Sequence, residues 1–440
     1  MEDPRRATPR TDHVLADPRL REAAARLGPA LVKRTVVETL ARCRAGELAP
    51  ADVADAAHAA LPASASALRR VVNATGVVVH TNLGRAPLSP AAVEAIGVAA
   101  GATDVELDLA TGRRGRRGRS AMAALAAAVP DAGGVHVVNN GAAALALVTC
   151  ALAAGREVVI ARGELVEIGD GFRIPELLES VGARLREVGT TNRVRLADYA
   201  EAVGEQTAFV LKVHPSNFLV SGFTSSVPVR ELATLGVPVV ADIGSGLLAP
   251  HPRLPDEPSA AAALREGADL VTASGDKLLG GPQCGLMLGS AELVERLRRH
   301  PFARALRVDK LTLAALEATL AGPVPPVPRA LDTTADALLT RASALAAALA
   351  DLPRLGARAV PSEAAVGGGG APGVVLPSAA LALPTALERP LRLDPELPVV
   401  GRVESGRLLL DLVAVEPCDE DAVIAAVRRA AYAVGLGEGA

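Results

Sequence analysis

From residue 69 onward the chain alternates short β-branched runs with Ala/Leu stretches, and this alternation restricts the fold more than any other feature. The runs include VHVVN (135–139), REVVIAR (156–162), TAFVLKV (207–213), VPVVAD (237–242) and ADLVTAS (268–274), each beside a helical stretch. Strands that alternate with helices in this way wind into a mainly parallel α/β sheet covered by helices on both faces. The core such a sheet needs is available: 50% of the residues are hydrophobic, only 2% are aromatic and there is no Trp. The interior is therefore aliphatic, and 440 residues suffice for two or three domains.

The two ends read differently. Residues 15–27, 29–45 and 50–61 have helical patterns punctuated by Gly28-Pro29 and Gly46. PASASAL (62–68) has linker composition. After PVPPVP, near residue 323, come an Ala/Leu helix (335–351), the glycines Gly367 to Gly370, the strand-like RLLLDLVAV (407–415) and a last helix (419–434). The expected organisation is a helical domain over 1–62, a linker over 63–76, a core over 77–322 and a small α+β domain over 323–440.

Charge and cysteine content exclude several classes. The net charge is −3, so a polyanionic partner must be met by a local patch. Residues 1–70 hold 12 Lys/Arg against nine Asp/Glu, a mild positive balance. Cys43, Cys150, Cys284 and Cys418 are far apart, which argues against a disulfide framework or a zinc site. The sequence shows no apolar leader region and no uninterrupted 18-residue apolar span, so a soluble cytoplasmic protein without membrane attachment is expected.

Lysine is scarce. Of 46 basic residues only Lys33, Lys212, Lys277 and Lys310 are lysines. Arginine cannot replace lysine where a neutral amine must form a Schiff base, so a lysine-dependent chemistry has four candidates, among which the bias itself does not choose. Lys277 alone stands on a glycine-flanked turn after a strand, in ADLVTAS followed by GDKLLGGPQCG, with Ser274 and Asp276 beside it. Asp242 closes VPVVAD, 35 residues earlier, at the carboxyl end of a strand where open α/β sheets bind ligands. An acid there can keep a pyridinium nitrogen protonated while the lysine carries an aldehyde, a pairing suited to pyridoxal 5′-phosphate (PLP). Asn139, Asn140, Gly141 and Ala142 follow VHVVN and open a helix whose N–H groups and dipole favour a phosphate. Singly, each feature has a plainer reading: Asp242 as a turn cap, Lys277 as a loop lysine, and small residues as ordinary punctuation.

Arginines make a second pattern. TGRRGRRGR puts Arg113, Arg114, Arg116, Arg117 and Arg119 within seven residues, either a mobile loop that meets phosphates or a solvated basic surface. PFARALRVDK adds Arg304 and Arg307, on one face if helical. HTNLGRAPLS adds Arg85 in a Gly/Pro turn before a helix.

Several long blocks resemble the bacterial selenocysteine synthase family, the L-seryl-tRNA(Sec) selenium transferases. They are NATGVVVHTNLGRAPLS (73–89), ELDLATGRRG (106–115), RGELVEIGDGFRIPE (162–176), EVGTTNR (187–193), KVHPSNF (212–218), DIGSG (242–246), SGDKLLGGPQCG (274–285) and RALRVDKLTLAALEATL (304–320). The resemblance runs in unbroken order over roughly residues 15 to 430. Gly141 stands where another Asn is usual in the family, Asp170 where a small residue is usual, and the basic surfaces use Arg in place of Lys.

The resemblance implies a fold-type-I PLP transferase with a helical N-terminal domain that binds tRNA, assembled as a decamer of five dimers. It implies that Lys277 is the Schiff-base lysine and Asp242 the partner of the pyridinium nitrogen, with Asn140, Gly141, Ala142 and Ser274 around the cofactor. Arg85, Arg304 and Arg307 look like the arginines that receive the selenium donor, and Asp276 like an assistant to the chemistry. The implied reaction converts L-seryl-tRNA(Sec) to L-selenocysteinyl-tRNA(Sec) with selenophosphate, through a PLP aldimine and an aminoacrylate. Two rivals share parts of this pattern. A PLP lyase for a phosphorylated amino sugar would not need the 60-odd residues before NATG, and a non-catalytic tRNA-binding scaffold would not need Lys277 and Asp242.

Overall fold

The first expected helix, 15–27, starts later than its pattern suggests: a short helix Thr11–Leu15 ends before Asp17, and α1 runs Pro18–Leu27. The Asp17 carboxylate accepts the Arg19 N–H at 2.9 Å, and Pro18 occupies the first helical position, where its missing N–H costs nothing. The computed structural model describes residues 8–62 and 64–437, and the chain divides into the units Met1–Arg70 and Val71–Ala440. In the first unit α1 is followed by α2 (Pro29–Arg44) and α3 (Val53–Ala59). Leu20, Leu27, Val32, Val36, Leu40 and Val53 recur at helical spacing and form its core.

The second unit is built on a seven-stranded sheet. Its strands are β1 (Gly134–Val138), β2 (Glu157–Ala161), β3 (Arg184–Val188), β4 (Thr207–Val213), β5 (Val239–Asp242), β6 (Leu270–Ser274) and β7 (Gly285–Gly289). The order is β1-β7-β6-β5-β4-β2-β3, with β7 antiparallel to both neighbours and every other pair parallel. Successive side chains alternate between two cores: Val135, Val137, Val159, Val210 and Val271 face one, and Val158, Ile160, Phe209, Leu211 and Leu270 the other. Both faces are dry, which is why the runs read as apolar throughout. Helix α4 (Pro90–Ala100) packs on α6 (Lys310–Ala321), whose Leu313 and Leu316 join the first core. Helix α5 (Gly141–Ala153) covers the second core with Ala144, Leu147 and Val148.

A five-stranded sheet forms the smaller domain. Its order is Arg402–Glu404, Arg407–Asp411, Val375–Pro384, Arg358–Gly367 and Val77–Val79, with only the last pair parallel. The helices Ala335–Ala348 and Glu420–Ala433 pack their buried residues into its core. Residues 63–76, read from composition as linker, end in structure: Val72–Asn73 pairs with Val399–Val400. Val77–Val79 likewise joins the C-terminal sheet rather than the large one, because its β-branched run finds an open edge beside Ala365 and Gly367. Among the described residues, no helix is long and apolar enough to cross a membrane.

Candidate functional site

The carboxyl ends of β5 and β6 place Asp242 and Thr272 side by side, because the two strands pair in register there. The Thr272 hydroxyl, fully buried, donates to Asp242 Oδ1 at 2.7 Å. Burial pushes the Asp242 carboxyl above the usual range, opposed by that hydrogen bond and by the charges of Lys277 and His214. A cavity of about 790 Å³ opens beside Asp242, walled also by Glu164, Lys212, His214 and Glu257.

The chain leaves β6 at Ser274, turns through Gly275 and Asp276, and presents Lys277. Lys277 is partly buried, and among the described residues its Nζ has no hydrogen-bond or ion-pair partner. Burial chiefly, then the charge of Arg85, lowers its pKa against the opposing pull of Asp242, Asp276 and Glu257. The amine is therefore biased toward the neutral form that attacks a carbonyl. Two glycines line it. A Cβ on Gly369 would lie 3.0 Å from Nζ, and one on Gly244 would lie 3.9 Å away. Both have positive φ (79° and 67°), a conformation other residues resist.

On the far side of β6, β1 runs into α5. Asn140 caps that helix, its Oδ1 accepting the Ala143 N–H at 2.8 Å. Gly141 and Ala142 open the first turn of this helix, and Gly141 packs against Ser274: a Cβ on Gly141 would come within 2.7 Å of Ser274 Oγ. A side chain at position 141 would therefore need the Ser274 hydroxyl to shift. Asn140, Gly141, Ala142, Ser274, Asp242 and Lys277 all lie at the carboxyl ends of β1, β5 and β6.

The arginines divide. Arg85 donates to Asp276 Oδ2 at 2.7 Å, and the Ala86 N–H meets the Asp276 carbonyl at 3.2 Å. Arg85 also holds φ at 66°, outside the usual region for a residue with a side chain. Arg304 lies exposed on the helix Pro301–Ala305. The pair was expected on one helix face if helical, but that helix ends at Ala305 and Arg307 lies beyond it, bridged to Val138 at the end of β1. The Asn139 N–H bonding to the Leu306 carbonyl holds this bridge at the Asn139–Gly141 turn.

The basic run, read as either a mobile loop that meets phosphates or a solvated basic surface, begins in a short hairpin and ends at the start of the helix Arg119–Ala128. Arg113–Arg114 pairs with Leu107–Asp108. Glu106 gathers Arg114 at 2.9 Å, Arg117 at 3.3 Å and Arg307 at 3.8 Å, so part of the positive charge is already neutralised. Arg113 and Arg116 remain exposed.

Three residues beside the site were missed from sequence. Glu164, buried after β2, pairs with Lys212 at 2.5 Å and accepts the Val213 N–H at 2.9 Å. Glu257, also buried, meets His214 Nε2 at 3.1 Å. Ser216 is 8% exposed, and its Oγ would lie 3.4 Å from a Cβ on Gly244 and 3.7 Å from one on Gly369. An isolated Glu or Ser in a loop carries no periodic signal; the blocks RGELVEIGDGFRIPE and KVHPSNF, already singled out, contain Glu164 and Ser216 but did not mark them.

Residues 71–416 match the family described as L-seryl-tRNA selenium transferase, and residues 5–44 match the one described as selenocysteine synthase N terminal. The L-seryl-tRNA(Sec) selenium transferase of Geobacter sulfurreducens is 42% identical over 434 residues, covering 90% of this chain and 92% of its own. The protein of that name from Moorella thermoacetica is 46% identical over 384 residues, covering 81% and 80%. Among solved structures, D-glucosaminate-6-phosphate ammonia-lyase aligns with a TM-score of 0.58 at 19% identity, covering 84% of this chain and 97% of its own. That likeness shows a shared fold.

Proposed function

The chain belongs to the L-seryl-tRNA(Sec) selenium transferase family, and from that premise we propose that it converts L-seryl-tRNA(Sec) to L-selenocysteinyl-tRNA(Sec), with selenophosphate as the selenium donor and PLP as cofactor. The observation that carries this reading is the Lys277 amine: partly buried, without a partner among the described residues and biased toward neutrality, on the turn that follows the strand next to that of Asp242.

The residues fit the cofactor. A lysine free of ion pairs supplies the amine. The first turn of α5, with Ser274 against it, supplies N–H and hydroxyl donors for a phosphate. Asp242, oriented by Thr272, supplies a carboxylate for a protonated ring nitrogen. When bound, PLP supplies a sink for the electron pair left at the substrate α-carbon.

The chain's own groups then do the remaining work. Lys277, released as a free amine, takes the α-proton of the seryl group and later returns it. The β-hydroxyl takes up a proton and leaves as water, the donor's selenium bonds to the β-carbon, and cleavage of the donor's Se–P bond by water releases phosphate. Arg85, Arg304 and Arg307 hold the anionic donor and offset its charge. Asp276 holds the Arg85 guanidinium through its carboxylate and the neighbouring Ala86 N–H through its carbonyl, so the guanidinium meets its ligand already oriented. The helical unit of residues 8–62 binds the body of the tRNA, reading its shape more than its sequence. Gel-shift titration tests this substrate: a complex with tRNA(Sec) but not tRNA(Ser) supports the transferase, and equal affinity for both contradicts it.

A further inference from the structure

The loop that covers Lys277 is expensive to order. Gly367, Gly368 and Gly369 all have positive φ, as does Ala371 at 48°. Three consecutive glycines lose much backbone freedom on folding. Within the loop, backbone bonds run from Gly370 to Gly367 at 3.2 Å and from Val374 to Ala371 at 3.2 Å. Neither ties the loop to the large sheet.

That tie comes from Glu257. Its Oε2 accepts the Ala371 N–H at 2.6 Å and faces His214 Nε2 at 3.1 Å. His214 in turn donates its backbone N–H to the Asp242 carbonyl at 2.9 Å. One carboxylate oxygen thus joins the glycine loop of the small domain to the strand end that carries Asp242. Glu257 is 6% exposed, and its Oε1 is buried without a partner among the described residues. Keeping a half-satisfied carboxylate there is costly. A charge-assisted bond, about twice the strength of a neutral one, is what the position gains in exchange.

We infer that Glu257 is a positioning residue for the reaction: its carboxylate latches the Gly367–Ala371 loop over the Lys277 amine. Gly369 lies against Nζ, so the latch sets where that amine points and how much water reaches it. Loss of the latch leaves Lys277 chemically intact but free to wander, which lowers turnover more than substrate binding. The inference rests on the reading of Lys277 as the cofactor amine, and the test separates the two.

The experiment compares the full-length protein with Glu257→Ala and Glu257→Gln by hydrogen–deuterium exchange without PLP, then by visible absorbance and steady-state kinetics with PLP. Glu257→Ala should raise exchange over Gly369–Ala371 about tenfold or more while leaving β5 and β6 unchanged. With PLP, its kcat should fall about tenfold at nearly constant KM for seryl-tRNA. Glu257→Gln keeps an acceptor for Ala371 and should restore loop protection to within about threefold of the parent. If Glu257→Ala does not fold, Glu257→Leu fills the volume without an acceptor and gives the same contrast. Unchanged loop exchange in the Ala or Leu variant overturns the latch, as does a Gln variant as exposed as they are. Loop exchange is read without cofactor, so it does not depend on Lys277. Lys277→Ala retaining the parent's visible band would overturn the cofactor reading instead.

Discussion

Two lysines at strand ends of the same sheet have opposite surroundings. Lys212, on β4, is closed by Glu164 at 2.5 Å, and the second Glu164 oxygen is taken by the Val213 N–H. Lys277, beyond β6, has nearby carboxylates but no bond to any of them, and glycine backbone lies against its Nζ. A buried ion pair fixes structure, and removing one partner strands the other. A buried amine without a partner is held at a cost to folding, which is the pattern of functional sites. The difference supports the proposal that Lys212 belongs to the scaffold and Lys277 to the chemistry.

The largest effect on folding should come from breaking the closed pair. Lys212→Met leaves Glu164 without its counter-charge and should lower stability by about 3–5 kcal/mol in denaturant titration, while the visible band of the PLP-loaded protein persists. Next, Asp242→Asn should reduce turnover by roughly a hundredfold or more with little change in stability. A Lys212→Met variant of parental stability, or an Asp242→Asn variant of parental rate, would erase the contrast.

A smaller effect tests the sheet itself. Burial pushes the His136 imidazole on β1 down to about 4. Between that value and the ordinary 6.5 the unfolded chain holds a proton that the folded chain refuses. Stability is therefore undiminished above pH 6.5 and falls as pH drops through this window, by about 2–3 kcal/mol near pH 4. Equilibrium unfolding of the parent and of His136→Gln across pH 4–7 checks it, the variant lacking this contribution. The smallest effect is the most discriminating. In the cofactor-free protein Lys277→Met should raise stability by about 1 kcal/mol, the opposite sign to Lys212→Met.

Much of this was legible in the sequence. All five apolar runs became strands of the large sheet, four of them adjacent and parallel and the fifth, β1, set apart by the antiparallel β7, because buried strands must be apolar on both faces. β3 and β7 escaped notice for opposite reasons. RLREV (184–188) is an edge strand with charged residues, and GLMLG (285–289) is short and enclosed by glycines. The position of Lys277, Asp242, Ser274 and the Asn140–Ala142 turn at strand ends was legible because the end of a strand is a predictable place. Glu257 and Glu164 were not, since their positions depend on how the loops after β2 and β5 fold back. The clamp of Glu106 on Arg114, Arg117 and Arg307 was equally hidden. An arginine run announces charge, but not which carboxylate meets it.

The central claim is that the unpaired lysine, and not the paired one, carries the reaction. Conversion of seryl-tRNA(Sec) with selenophosphate and PLP tests it directly, with the parent, Lys277→Ala and Lys212→Met side by side. The account predicts selenocysteinyl-tRNA(Sec) from the parent and from the folded fraction of Lys212→Met, and a loss of roughly 10³-fold or more in Lys277→Ala. Turnover by Lys277→Ala at the parental rate would contradict it.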